Sequence, residues 1–106
     1  MDPIWDTPTT RQFAEVITAI SKPAMMQDFL RDVMTEKEII EISSRLEAAR
    51  MLKEGKKYAE IIETTKLSSR TIARISDWIQ NGEGGYAAAL QLADTHHPHL
   101  PPARAE

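Results

Sequence analysis

The sequence of 106 residues predicts an all-α fold. Apolar side chains recur three and four residues apart along most of the chain, which is the period of an amphipathic helix. Strict alternation of apolar and polar residues, which marks a half-buried strand, is nearly absent. Glycine is sparse and stands mainly where helices are expected to end. These observations predict a single helical domain.

The composition argues against several classes of protein. Cysteine is absent, so the chain has no disulfide, no cysteine-ligated zinc and no thiol nucleophile. The acidic start of the chain lacks the apolar run of a secretory signal. No apolar stretch approaches the roughly 18–20 residues that cross a bilayer. We therefore expect a cytoplasmic protein without a membrane contact.

Charge is unevenly distributed, although the formal net charge is −3. Residues 1–44 carry 4 basic and 8 acidic groups, whereas residues 45–80 carry 8 basic and 5 acidic groups. Because phosphate responds to the local potential rather than to the total charge, the middle segment is a candidate nucleic-acid surface. The alternative is a mixed, solvated surface, and charge alone leaves both open.

The first third of the chain predicts an arm and two helices. Residues 1–8 contain two prolines and few apolar side chains, which indicates a flexible arm. Thr9 and Gln12 fit a capping box that opens a helix. That helix is expected to end before Pro23, because proline disfavours helical geometry in the preceding residue. A second short apolar face follows over residues 25–34.

A long helix is expected between Thr35 and about Glu54. Thr35 and Glu38 form a second capping box, and Gly55 stands where a left-handed residue commonly ends a helix. The helix carries an unusually wide apolar surface, formed by Ile39, Ile40, Ile42, Leu46, Ala48, Ala49, Met51 and Leu52. A surface helix normally buries one stripe, so this width predicts burial against a second copy. The alternative is a central helix in a monomer.

The candidate functional unit spans residues 58–80, where two short helices are joined by a turn at residues 65–67. Ser68 is a good N-cap for the second helix, and the arrangement is that of a helix-turn-helix. The residues expected to pack these helices together are Ala59, Ile62, Leu67, Ile72 and Ile75. Lys66 takes the turn position that commonly holds glycine, at a cost of about 1 kcal/mol for left-handed geometry.

The second of these helices offers side chains suited to DNA. Arg70 and Arg74 lie one turn apart on one face, and arginine binds guanine or phosphate through paired hydrogen bonds. The predicted contact residues on the helix are Ser68, Ser69, Arg70, Thr71, Ala73 and Arg74, and the predicted phosphate contacts around it are Lys56, Lys57 and Lys66. The alternative is a packed helix pair with charged surfaces and no ligand.

The end of the chain offers no convincing site. A last helix is expected from about Tyr86 to Ala93, and residues 95–106, rich in proline and histidine, are expected to be disordered. The histidines of this tail are His96, His97 and His99, which lack an acidic partner at helical spacing, so we expect no metal site. Acidic residues between 28 and 41 have no nucleophile nearby, so we expect no catalytic residue, no cofactor and no enzyme.

Several runs of sequence resemble one family. They are Phe29-Leu30, Met34-Thr35-Glu36-Lys37-Glu38, residues 45–52, Tyr58-Ala59-Glu60-Ile61, residues 68–74 and, most specifically, Trp78-Ile79-Gln80-Asn81-Gly82-Glu83-Gly84-Gly85-Tyr86. Together they resemble the Trp-repressor superfamily, and within it the small Trp-repressor-related proteins of the YerC/YecD type. The resemblance implies an intertwined helical homodimer that binds double-stranded DNA as a bacterial transcription regulator.

The resemblance also implies where a corepressor would bind. The family's indole-pocket positions fall on Thr35, Arg45, Thr71 and Arg74. Two other pocket positions differ from the family's pattern, because Ile75 stands in place of a glycine and Trp78 in place of a serine. Large side chains in a close-packed pocket exclude a ligand of similar size. We therefore expect a vestigial pocket blocked by Ile75 and Trp78, and no small-molecule effector.

The prediction is a sequence-specific DNA-binding regulator, a repressor, that acts as a homodimer without tryptophan as corepressor. Its helical domain is expected over residues 9–94. The alternative is a protein-interaction module on the same fold that has lost DNA binding, which the negative total charge favours.

Overall fold

The computed structural model describes residues 2–96, with side chains described through Asp94. These residues form helices and no strand, which confirms the all-α prediction. A 3-10 helix at Pro3–Asp6 is followed by α1 (Pro8–Ala19), α2 (Pro23–Val33), α3 (Glu36–Lys53), α4 (Tyr58–Thr65), α5 (Ser69–Asn81) and α6 (Gly85–His96). The chain divides into two compact units, Met1–Ile40 and Glu41–Glu106.

The start of the first unit is a hydrogen-bonded segment where a flexible arm was expected. The Asp2 carboxylate accepts a hydrogen bond from the Ile4 amide at 3.0 Å. The Thr10 hydroxyl donates to the Ile4 carbonyl at 2.7 Å, and Arg11 Nε donates to the Trp5 carbonyl at 2.8 Å. Two carbonyls of the 3-10 helix are thus satisfied by side chains of α1.

The first residues of α1 also differ from the prediction. Thr7, rather than Thr9, is the N-cap, and its hydroxyl accepts from the Thr10 amide at 3.2 Å. Pro8 is the first helical residue. Proline suits that position because its φ is already helical and its missing N–H would have had no partner there. The proline therefore selects the earlier of two possible caps.

The first unit leaves its apolar side chains largely uncovered. Neither α1 nor α2 buries a residue. The Phe13 and Phe29 rings lie 6.5 Å apart between centroids, yet Phe13 stays 46% exposed. The other exposed large apolar side chains of this unit are Ile4, Trp5, Val16, Met25, Val33 and Ile40.

Both predicted caps of α3 are present. The Thr35 hydroxyl accepts from the Glu38 amide at 3.1 Å, and the Glu38 carboxylate accepts from the Thr35 amide at 2.8 Å. At the other end Gly55 adopts a φ of 82°. The Lys56 amide then donates to the Met51 carbonyl at 3.0 Å, which is the bond of a Schellman motif.

The second unit contains the hydrophobic core. Its buried apolar residues are Ala48, Ala49 and Met51 of α3, Ile61 of α4, Ile72 and Ile75 of α5, and Leu90 of α6. On α3, however, Ile42 and Leu46 remain 53% and 43% exposed. A single chain therefore covers only part of the wide apolar surface predicted for α3.

The last helix is longer than expected. It continues to His96, beyond the predicted end at Ala93, so Thr95 and His96 belong to a helix and not to a disordered tail. The remainder of the predicted tail, including His97 and His99, lies outside the described residues.

Candidate nucleic-acid interface

The two helices of the predicted helix-turn-helix pack through a different residue of α4 than expected. Ile61 is fully buried, together with Ile72 and Ile75 of α5. Ala59 and Ile62, which were predicted to face α5, are exposed. The inward positions of this eight-residue helix are Ile61 and, one turn later, Thr65.

The turn between α4 and α5 has the geometry predicted from its sequence. Lys66 lies in the left-handed region at φ 63° and ψ 13°. Its amide donates to the Ile62 carbonyl at 2.8 Å, so α4 ends in a satisfied cap. The lysine side chain is exposed at the surface of the turn.

The N-terminus of α5 is capped as predicted. Ser68 Oγ accepts from the Thr71 amide at 3.1 Å and donates to Thr71 Oγ1 at 3.1 Å. These two hydroxyls are therefore engaged with each other. Ser69, Arg70, Ala73 and Arg74 are exposed, whereas Thr71 is half-buried. The surface free to meet a ligand is thus formed chiefly by these exposed side chains.

Ion pairing separates the basic residues of the second unit into two groups. Within the described part of the chain, one group has no carboxylate within the 4.0 Å of a salt bridge. This group, called here the unpaired cations, consists of Lys53, Lys57, Lys66, Arg70 and Arg74. All are exposed. The predicted contacts Lys57, Lys66, Arg70 and Arg74 therefore present positive charge that no described carboxylate within 4.0 Å neutralises.

The other group is paired along the helices. Arg45 contacts Glu41 at 2.6 Å, and Arg50 contacts Glu47 at 2.5 Å and also pairs with Glu54. The hydrogen bond that Arg50 donates to the Glu47 carboxylate raises the pKa of the Arg50 guanidinium above its ordinary value. These arginines of α3 are thus committed to carboxylates.

Lys56 also belongs to the paired group, although it was predicted to contact phosphate. Its Nζ lies 4.0 Å from the Glu60 carboxylate, and both side chains are about half exposed. This i,i+4 pair is long and solvated, so it is weak. Lys56 nevertheless differs from the adjacent Lys57 in having an acidic neighbour.

The residues predicted to correspond to a corepressor pocket have the following surroundings. Thr35 lies in the first unit, where its hydroxyl caps α3. Arg45 pairs with Glu41 while its Nε is buried without a hydrogen-bond partner. Ile75 is fully buried in the core, whereas Trp78 is 45% exposed. Blocking of the pocket by these last two residues stays a prediction.

Neither a metal-binding cluster nor a membrane-spanning helix is found among the described residues. No group of three or more His, Cys, Asp or Glu side chains there is placed to hold a metal ion. No described helix combines the length and the apolar character that crossing a bilayer requires.

Comparison with known proteins agrees with the resemblance seen in the sequence. A family model described as Trp repressor protein matches residues 9–94. "Uncharacterized protein YerC" of Bacillus subtilis is 40% identical over 62 residues, which cover 58% of this chain and 60% of YerC. A TrpR-like protein from Eubacterium eligens, 31% identical, aligns with a TM-score of 0.81 over 86% of this chain and 94% of its own. The chain belongs to the Trp repressor family, among the relatives of the YerC type.

Proposed function

We propose that this chain is a sequence-specific DNA-binding repressor that acts as a homodimer through α4 and α5, without tryptophan as corepressor. Membership in the Trp repressor family indicates a DNA-binding regulator rather than an enzyme. The observation that carries the proposal is the group of unpaired, exposed cations of the second unit, of which Lys66, Arg70 and Arg74 stand at or next to the capped N-terminus of α5.

Each exposed residue between Ser69 and Arg74 of α5 has a role in this proposal. Arg70 and Arg74 read guanine edges or bind phosphate. Both side chains are exposed, and they project from the same face of α5. Ser69 and the free amides at the start of α5 bind phosphate oxygens. Ala73 lies between the arginines and leaves room for close approach to a base. The hydroxyls of Ser68 and Thr71 mainly hold the cap.

Lysines before α4 and in the turn before α5 supply affinity that does not depend on base sequence. Lys57 precedes α4 and Lys66 stands in the turn, and neither is neutralised by a described carboxylate. Lys56 contributes less, because binding to phosphate competes with its pairing to Glu60. Each phosphate contact adds to the salt dependence of binding through released counterions.

The homodimer is supported by apolar surface that one chain leaves open. Neither α1 nor α2 buries a residue, and Ile42 and Leu46 of α3 are half exposed. Complete burial of one such side chain stabilises by about 1.5–3 kcal/mol, so a second copy is the natural cover for this surface. Two α5 helices related by a two-fold axis would read a pseudo-palindrome with half-sites about 34 Å apart.

Independence from tryptophan is supported by Ile75 and Trp78. By the sequence resemblance Ile75 takes the place of a small pocket residue, and it is fully buried; the same resemblance assigns Trp78 to a second pocket position. We expect titration calorimetry of the dimer with L-tryptophan to give no binding heat. Tight binding of one tryptophan per chain would contradict this part of the proposal.

The central test measures salt-dependent DNA binding and assembly in the same buffer. Fluorescence anisotropy with a labelled random duplex should show affinity falling roughly 10³–10⁵-fold between 50 and 200 mM salt, as expected for 6–10 phosphate contacts. Sedimentation equilibrium should give a dimer. A monomer that shows no affinity for the duplex even at low salt would contradict the proposal.

A protein-interaction module is the second candidate, and the first unit favours it. Residues 1–44 carry an excess of acidic groups, and Trp5 and Phe13 are exposed beside them. An interaction module would form the dimer without salt-dependent affinity for DNA. The two measurements above therefore distinguish the candidates.

A further inference from the structure

Thr65 is a polar residue buried against the apolar core of the second unit. It is 8% exposed, whereas the other buried residues of the described chain are apolar. A hydroxyl removed from water costs free energy unless it forms hydrogen bonds. The position of Thr65 at the end of α4 therefore calls for a reason beyond packing.

The Thr65 hydroxyl joins α4 to the turn that follows it. Its Oγ1 donates to the Ile61 carbonyl at 2.7 Å and accepts from the Leu67 amide at 3.2 Å. Lys66, between the two, is left-handed and donates its own amide to the Ile62 carbonyl. Consecutive amides of the turn are thereby satisfied, one by the backbone of α4 and the next by the threonine.

This hydrogen bond bears directly on the start of α5. Leu67 packs partly buried against the core, and the next residue, Ser68, caps α5. Ile72 and Ile75 hold the middle of α5 in the core. The exposed first turn of α5 is held by the connection through residues 66–68.

We infer that Thr65 is a positioning residue for DNA recognition, whose hydroxyl fixes the turn and so the placement of Arg70 at the groove-facing start of α5. The inference rests on the proposed function. Binding sites require their contact groups to be held within about 0.5 Å by supporting residues. Among the described residues Thr65 makes no hydrogen bond to the arginines of α5, and in this inference it acts through Leu67 and Ser68.

The test uses the full chain and three variants. Thr65→Val keeps the shape and removes the hydroxyl, Thr65→Ser restores the hydroxyl, and Thr64→Val makes the same change at the adjacent exposed threonine. Circular dichroism at the assay temperature confirms that each variant is folded. If Thr65→Val is unfolded, Thr65→Ala removes the hydroxyl with a smaller side chain and takes its place.

The first measurement requires no DNA. Hydrogen exchange of the Leu67 amide, followed by NMR, should be about tenfold faster in Thr65→Val, because a net hydrogen bond of usual strength is lost. Thr65→Ser and Thr64→Val should exchange like the parent. Equal protection of the Leu67 amide in Thr65→Val would overturn the inference at its first step.

The second measurement separates positioning from stability. The affinity for a duplex selected from a random library is divided by the affinity for a random duplex of equal length, at one salt concentration. We expect this ratio to fall about tenfold in Thr65→Val and to return in Thr65→Ser. Faster exchange with an unchanged ratio would make Thr65 purely structural and leave the proposed function intact. Absence of all DNA binding by the parent would overturn both.

Discussion

Replacing Lys66 by glycine should stabilise the fold while weakening DNA binding. Lys66 holds a left-handed backbone at φ 63°, which costs a non-glycine residue about 1–2 kcal/mol. Glycine relieves that cost. Its greater conformational freedom in the unfolded chain, however, lowers the free energy of unfolding by about 0.4–1 kcal/mol. The amide bond from residue 66 to the Ile62 carbonyl is kept, since it involves backbone alone. The free energy of unfolding should rise by about 0.5–1 kcal/mol per chain.

The DNA effect has the opposite sign because the same substitution removes an unpaired cation. The slope of log affinity against log salt should become shallower by about 0.9 for each lysine lost. Loss of affinity should be equal for all sequences, since a phosphate contact carries no base information.

Urea unfolding at fixed chain concentration and anisotropy over a salt series measure the two effects. Lys66→Ala is the matched control, because it removes the charge but keeps a side chain at the left-handed position. It should show the same DNA defect as Lys66→Gly without the gain in stability. Equal stability of the glycine and alanine variants would refute the account of the turn. An unchanged salt slope in both would remove Lys66 from the DNA surface.

Three further predictions concern the site and its support. Arg70→Ala should weaken binding to a selected duplex by about 1–3 kcal/mol and relax preference at one position in each half-site, as measured by binding to single-base variants of that duplex. Lys57→Ala should flatten the salt dependence of random-duplex binding more than Lys56→Ala, because Glu60 already pairs with Lys56; equal slopes would show that this pair is irrelevant. Thr35→Val should lower the free energy of unfolding by about 1 kcal/mol through loss of the α3 cap, and Thr35→Ser should not.

Helix ends were largely predictable because they are set by neighbours in sequence. The Thr35–Glu38 capping box, the left-handed Gly55 and the Ser68 cap each depend on contacts within five residues, and each is present. The predicted start of α1 was wrong because two threonines, Thr7 and Thr9, compete for the N-cap position. Pro8 decides in favour of Thr7, and proline's preference for the first helical position is itself a local signal.

The packing of α4 was harder to predict from hydrophobicity. Ala59 and Ile62 look like its inner face, but the helix turns Ile61 and Thr65 inward. The i,i+4 spacing of those two residues is visible in the sequence. Threonine, however, is not among the residues that a hydrophobicity pattern assigns to a core. A helix of eight residues also has too few turns for the pattern to show which face points inward.

Which charges remain free was only partly predictable. Glutamates three or four residues from arginine or lysine are a known source of pairs on helices, and such spacing accounts for the pairs of Arg45, Arg50 and Lys56. The orientation of each side chain is not contained in the spacing. The sequence predicted all three lysines around the helix-turn-helix as equivalent, whereas the structure distinguishes Lys56 from the others.

The positive surface of α5 arises because acidic partners are absent or turned away. Arg70 has no acidic residue three or four positions away on α5, and Arg74 has only Asp77. The Asp77 carboxylate accepts a hydrogen bond from Asn81 Nδ2 at 2.9 Å and makes no ion pair with Arg74 among the described residues. On α3, by contrast, Arg45 and Arg50 form ion pairs with glutamates three or four residues away. A chain with a net charge of −3 can thus attract phosphate, because the local distribution of pairs, and not the total, sets the potential that a duplex meets.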